Sequence, residues 1–68
     1  MTLLKENANS ILKEELESRG LKQKFVAENI GVTTTYLSQL LNGSRNLSVE
    51  IAIKTARFLN VPLEKILS

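Results

Sequence analysis

The chain has 68 residues, 43% of them hydrophobic, no cysteine, no histidine and a net charge of +2. A single domain of this length buries only about 60% of the surface its unfolded form exposes; with disulfides and histidine-bearing zinc sites excluded, well-packed helices, a partner subunit or both must supply stability. The apolar content is too high for a disordered chain, no apolar run exceeds three residues, which excludes a membrane-spanning helix, and no charged-then-apolar leader opens the chain, so a cytoplasmic location is expected.

In chain order, Leu4, Ala8, Ile11, Leu12 and Leu16 recur at three- and four-residue spacing, which predicts an amphipathic first helix from about Leu3 to Ser18. Gly20 stops it, and Leu21 follows as a buried connector. A short second helix is expected over about residues 22–29, with Val26, Ala27 and Ile30 facing inward and Gly31 making the tight turn that ends it. Thr33 then caps a third helix over about residues 33–41, because its hydroxyl can accept from the free amides of the first turn. That helix buries Leu37, Leu40 and Leu41 and closes at Asn42-Gly43. Ser44 to Leu47 reads as a loop. Ser48 caps a fourth helix whose core stripe is Val49, Ala52 or Ile53, Ala56 and Leu59. Asn60 and Val61 break it. Pro62 suits the first position of a short fifth helix to about Leu67, with Glu64 at its positive end. No stretch alternates with period two, so no sheet is expected, and there is no repeat, linker or low-complexity tract.

Helices two and three are thus joined by Gly31-Val32, with the small Ala27 leaving room for the third helix to cross close by. Val26, Val32, Leu37 and Leu40 fill the angle between them. This is the physical recipe of a helix-turn-helix, a rigid corner that pushes one helix out as a rod. A rod of that width fits the major groove of B-form DNA, where every base pair shows a distinct donor and acceptor pattern. Residues 18–46 carry a charge balance of +3, against −2 for residues 1–17 and +1 for residues 47–68. The positive charge therefore falls where the corner does and raises local attraction for anions, although a solvated surface accounts for it equally well on charge grounds alone.

The segment Leu21 to Gly43 has Gln23, Ala27, Gly31 and Asn42-Gly43 at a specific spacing. It continues through Ser44-Arg45-Asn46-Leu47-Ser48-Val49-Glu50-Ile51-Ala52 into Ala56, Leu59, Asn60, Val61 and Pro62. Over about Leu12 to Leu67 it resembles the helix-turn-helix of phage repressor and Cro proteins and their bacterial relatives, the XRE family. The resemblance implies an all-α, compact five-helix lambda-repressor-like DNA-binding domain spanning residues 1–68. It also implies a transcriptional regulator binding double-stranded DNA, a repressor acting as a homodimer on a palindromic operator. Base edges would be read by Thr34, Thr35 and Gln39, sometimes with Tyr36. Phosphates would be held by Gln23 at the positive end of helix two, by Lys22, Lys24, Thr33 and Ser38, and by the loop residues Asn42, Ser44, Arg45 and Asn46, with Arg45 leading and Lys22 and Lys24 next.

Helix geometry agrees with this. With Leu37, Leu40 and Leu41 turned inward, Thr34, Thr35, Ser38, Gln39 and Asn42 fall on the outward face. Gln39 suits a bidentate contact with adenine, and threonine methyls pack against thymine methyls. The plainer reading is a cap followed by solvated threonines, and loop residues that only make a turn; β-branched residues are, however, poor choices for an idle helix start.

The chain departs from its relatives at several positions. Lys22 stands where they usually carry a serine or threonine cap, a loss of about 1 kcal/mol. Leu16 and Leu41 replace a buried arginine–glutamate pair and are expected to touch, an exchange that is often neutral or stabilising. Phe25 occupies a usually polar position and is expected to pack against helix one. Ile51 and Phe58, with Leu63, Ile66 or Leu67, form a second apolar edge that serves either a twofold interface, since relatives dimerise through this region, or the domain's own core. Two other readings fit the residues: an antitoxin that represses its own operon and binds a toxin partner, and a protein-interaction domain that has lost DNA binding. Without His or Cys, catalysis would need paired carboxylates in a cleft, whereas the glutamates scatter over outward faces. No enzyme activity, cofactor or metal site is expected.

Overall fold

The computed structural model describes residues 4–67. Four α-helices follow one another: α1 (Ala8–Ser18), α2 (Gln23–Ile30), α3 (Thr34–Asn42) and α4 (Val49–Leu59), with a single 3-10 turn at Leu63–Lys65. Among the described residues the extended backbone pairs only once, in an isolated antiparallel bridge between Leu4 and Leu67. No helix among them is long and apolar enough to cross a membrane.

The helix starts follow local chemistry. Thr33 and Ser48 are extended at the starts of α3 and α4, and their hydroxyls accept from the backbone N–H of Tyr36 at 3.1 Å and of Ile51 at 3.2 Å. Each satisfies one of the amides a helix start leaves free. Lys22 holds the same extended cap conformation before α2 but makes no side-chain cap bond, as its chemistry requires. At the other end of α2, Gly31 takes φ +84°, and the N–H groups of Gly31 and Val32 both donate to the Ala27 carbonyl, at 2.9 and 3.0 Å. A Cβ built on Gly31 would meet nothing within 4 Å, so the left-handed backbone, and not lack of space, makes this a glycine position.

All four helices meet in one core. α1 contributes Ala8, Leu12 and Leu16; α2 Val26, Ala27 and Ile30; α3 Leu37, Leu40 and Leu41; α4 Ala52, Ala56 and Leu59. Leu16 and Leu41 are both 2% exposed and share the same apolar cluster, so two leucines sit where an ion pair would have to be desolvated. Thr55 is buried too, its hydroxyl satisfied by the Ile51 carbonyl at 2.8 Å within the helix.

Both ends of the chain differ from the sequence expectation, for a shared reason. The described part of α1 begins at Ala8, so Leu4 lies outside the helix, and Leu3 lies outside the described residues. Instead the Lys5 N–H donates to the Ile66 carbonyl at 2.8 Å, next to the Leu4–Leu67 bridge. The extended backbone that this pairing requires at Leu4 is incompatible with a helical turn there. The fifth helix is likewise reduced to one 3-10 turn. Pro62 precedes it with ψ 133°, and Ile66 then drops fully into the core. The nearby Lys65–Glu15 pair, 3.9 Å apart with the lysine 55% exposed, adds little beside that; burying an isoleucine side chain contributes about 1.5–3 kcal/mol. Val49, expected in the stripe of α4, is the first residue of that helix and is 37% exposed. Of the alternatives Ala52 and Ile53, Ala52 is the buried one.

The missing cap yields a test. Lys22→Ser should give α2 the hydrogen-bonded start its backbone already presents and raise stability by about 1 kcal/mol. Urea denaturation would show it as a higher midpoint at constant slope; an unmoved midpoint would mean that the α2 amides are already satisfied by solvent at no cost.

Candidate nucleic-acid interface

The corner between α2 and α3 turns one face of α3 to solvent. Leu37, Leu40 and Leu41 are buried, while Thr34, Thr35 and Asn42 are exposed and Tyr36, Ser38 and Gln39 are half-buried along the outer side. Seven polar or amphipathic side chains, counting the cap Thr33, therefore form one continuous strip with an apolar rear. Thr33 is committed to its cap through the hydroxyl acceptor and remains exposed.

The loop after α3 is built by short-range bonds. Asn42 Oδ1 accepts from the Ser44 N–H at 2.9 Å, and Gly43 takes φ +86°. Here both conformation and space matter, since a Cβ on Gly43 would lie 3.3 Å from Asn9 Nδ2. Asn9, on α1, donates through that nitrogen to the Leu41 carbonyl at 3.5 Å. At that length the bond is weak, but it sets Asn9 against the end of α3, and sequence reading missed it: a polar residue beside the buried Ala8 carries no signal that its partner is a carbonyl 32 positions away.

Arg45, the leading phosphate candidate, makes contacts within the domain. Its backbone N–H donates to the Gln39 carbonyl at 3.2 Å, its Nε donates to Gln39 Oε1 at 2.6 Å, and its guanidinium carbon lies 5.6 Å from the centroid of the Tyr36 ring. Tyr36, Gln39 and Arg45 thus form one cluster on the exposed side of α3, and the sequence, in which they are separate candidates, does not show it. Ser44 and Asn46 are exposed beside them. An open groove of about 400 Å³ separates this loop from the segment before α1, lined by Lys5, Asn9, Arg45 and Asn46 among others.

On the flank, Gln23 is the first residue of α2 and half-buried, with the exposed Lys22 and Lys24 on either side. Three polar or cationic residues accordingly cluster at a helix N-terminus, where free amides and the helix dipole favour an anion. Phe25 does not pack on α1. It is 50% exposed, and its ring lies 5.7 Å from that of Phe58 on α4, tilted by 58°. The physical reason is rotation along α2: Val26 and Ala27 take the core-facing positions, which leaves residue 25 at the edge shared with α4. Of the second apolar edge, Ile51, Phe58, Leu63 and Leu67 are half-buried at the periphery. Ile66 is fully buried and leaves that set, because its side chain completes the domain's own core.

Comparison with known proteins agrees with this geometry. No curated protein matches the chain. The sequence profile of the helix-turn-helix family matches residues 12–66, from the middle of α1 to the end of the 3-10 turn. The match takes in the whole α2–α3 corner, the loop around Arg45 and the α4 packing. The chain belongs to the Cro-type helix-turn-helix family, the XRE family of DNA-binding transcription regulators.

Proposed function

We propose that the protein is a small transcriptional repressor that binds a palindromic duplex operator as a homodimer, with α3 in the major groove. The observation that carries this reading is the division of α3 into a buried leucine rear and an exposed polar front. A helix held in that way by its back can enter a groove without disturbing the core. Thr34, Thr35 and Gln39 are the proposed base readers, with Tyr36 beside them. Gln23, Lys22 and Lys24, with Thr33, Ser38, Asn42, Ser44 and Asn46, are the proposed phosphate contacts. Such contacts position the protein, while base contacts specify the site.

Dimerisation is favoured by size. One such module buries only about 600–1,000 Å² on DNA, short of what tight specific binding requires, and a twofold pair doubles it. The half-buried edge of Ile51, Phe58, Leu63 and Leu67 is the proposed contact. Sedimentation should give about twice the 7.6 kDa chain mass, and Leu63→Glu should return the protein to one chain with its helicity intact; a wild type that sediments as a monomer at micromolar concentration would remove the dimer.

Selection of bound duplexes from a random pool tests the whole reading. Two inverted half-sites about 34–36 Å apart, one helical turn, should emerge; a pool without enrichment at low salt would rule out operator recognition. Gln39→Ala should then lose roughly 1–3 kcal/mol and relax preference at one base pair of each half-site, and an equal loss on every sequence would refute its role as a base reader. Lys24→Ala should instead weaken binding uniformly and reduce the salt slope by about one, which a salt titration of the same complex would reveal.

A further inference from the structure

We propose that Arg45 is a specificity-determining residue: by holding the Gln39 amide in one orientation, it makes the pair a reader of guanine in place of adenine. The inference rests on the DNA-binding reading above and names what one position of α3 recognises.

Arg45 is fixed by three contacts: the backbone bond to the Gln39 carbonyl, the Nε donation to Oε1 at 2.6 Å and the Tyr36 ring beneath its guanidinium. None of the three ion pairs among the described residues involves it. A guanidinium carries donors alone, so the amide meets it with oxygen, and the Nε2 amino group of Gln39 is left to donate elsewhere. Charge assistance makes such a bond roughly twice as strong as a neutral one, and the planar fork holds its geometry where a lysine would swivel. The backbone bond places residue 45 beside residue 39 whatever the side chains do, so a loop residue and a helical residue act as one reading unit.

An amide reads adenine by accepting from N6 while donating to N7. In this pair the guanidinium takes one of the two lone pairs of the accepting oxygen, and an N6 amino group approaching the other would face the donors of the cation beside it. Guanine instead offers acceptors at both O6 and N7. The Nη donors of Arg45 and the Nε2 donors of Gln39 are their complement.

The test is duplex selection with the wild type, Gln39→Ala, Arg45→Ala and Arg45→Lys, with thermal denaturation to check that each variant is folded. The base pair whose preference Gln39→Ala erases marks the position read by the pair. There the wild type should select G·C. Arg45→Ala should shift that one position towards A·T by about tenfold, the worth of a bidentate contact, and leave the others unchanged. Arg45→Lys should recover much of the affinity but not the guanine preference. Selection of A·T by the wild type at that position overturns the proposal. So does a uniform loss in Arg45→Ala that lysine fully rescues, since that is the behaviour of a phosphate contact. A wild type that enriches no sequence at all overturns the DNA-binding reading itself, and this inference with it.

Discussion

The angle between α2 and α3 depends on one residue's backbone and one residue's size. Gly31 at φ +84° reverses the chain, with two N–H groups closing on the Ala27 carbonyl, and Ala27, fully buried, keeps the two helices close enough for Leu37 to fill the corner. An L side chain at residue 31 would cost about 1–2 kcal/mol in that conformation without any clash. Such a cost is small against the burial of the leucines behind α3, yet it falls on the turn that sets the angle at which the helix leaves α2. The outward face inherits its position from that turn together with the packing of α3 on α1.

Stability and recognition are separated on α3 by the helical period. The rear leucines belong to the shared core, whereas Thr34, Thr35 and Gln39 contribute little to it and are free to serve another surface. The second constraint is the loop. Gly43 at φ +86° ends α3, with Asn9 of α1 lying against it. Arg45 then returns to Gln39 from a defined point. A surface whose side chains are already held loses less entropy on binding than one that must order them, and the Tyr36–Gln39–Arg45 cluster is held in this way.

The other face of the domain shows what happens when a small core runs out of residues. Ile66 is taken wholly inside, and the two chain ends pair through Leu4 and Leu67 to close over it. What is left at the edge is the Phe25–Phe58 contact, half open to solvent. An aromatic pair of this kind contributes about 0.5–1.5 kcal/mol beyond the area it buries, which for a domain of this size is a meaningful share of the total.

Most of the helical architecture could be read from the residues alone. Period, capping hydroxyls and turn-forming glycines act over three or four positions, so Thr33, Ser48, Gly31 and the leucines of α3 announce their roles locally, and with them the corner and its polar front. The family pattern is legible for the same reason, being a fixed spacing of such local signals. What only the tertiary structure decided involves partners distant in the chain or side chains free to rotate. The loss of the first turn of α1 to Ile66, the shrinking of the last helix to a 3-10 turn, the placement of Phe25 on Phe58, the Asn9–Leu41 tie and the turn of Arg45 onto Gln39 all depend on which groups arrive next to one another once the core has closed. Hydrogen bonds and packing respond to proximity in space, and periodicity along a chain carries no measure of it.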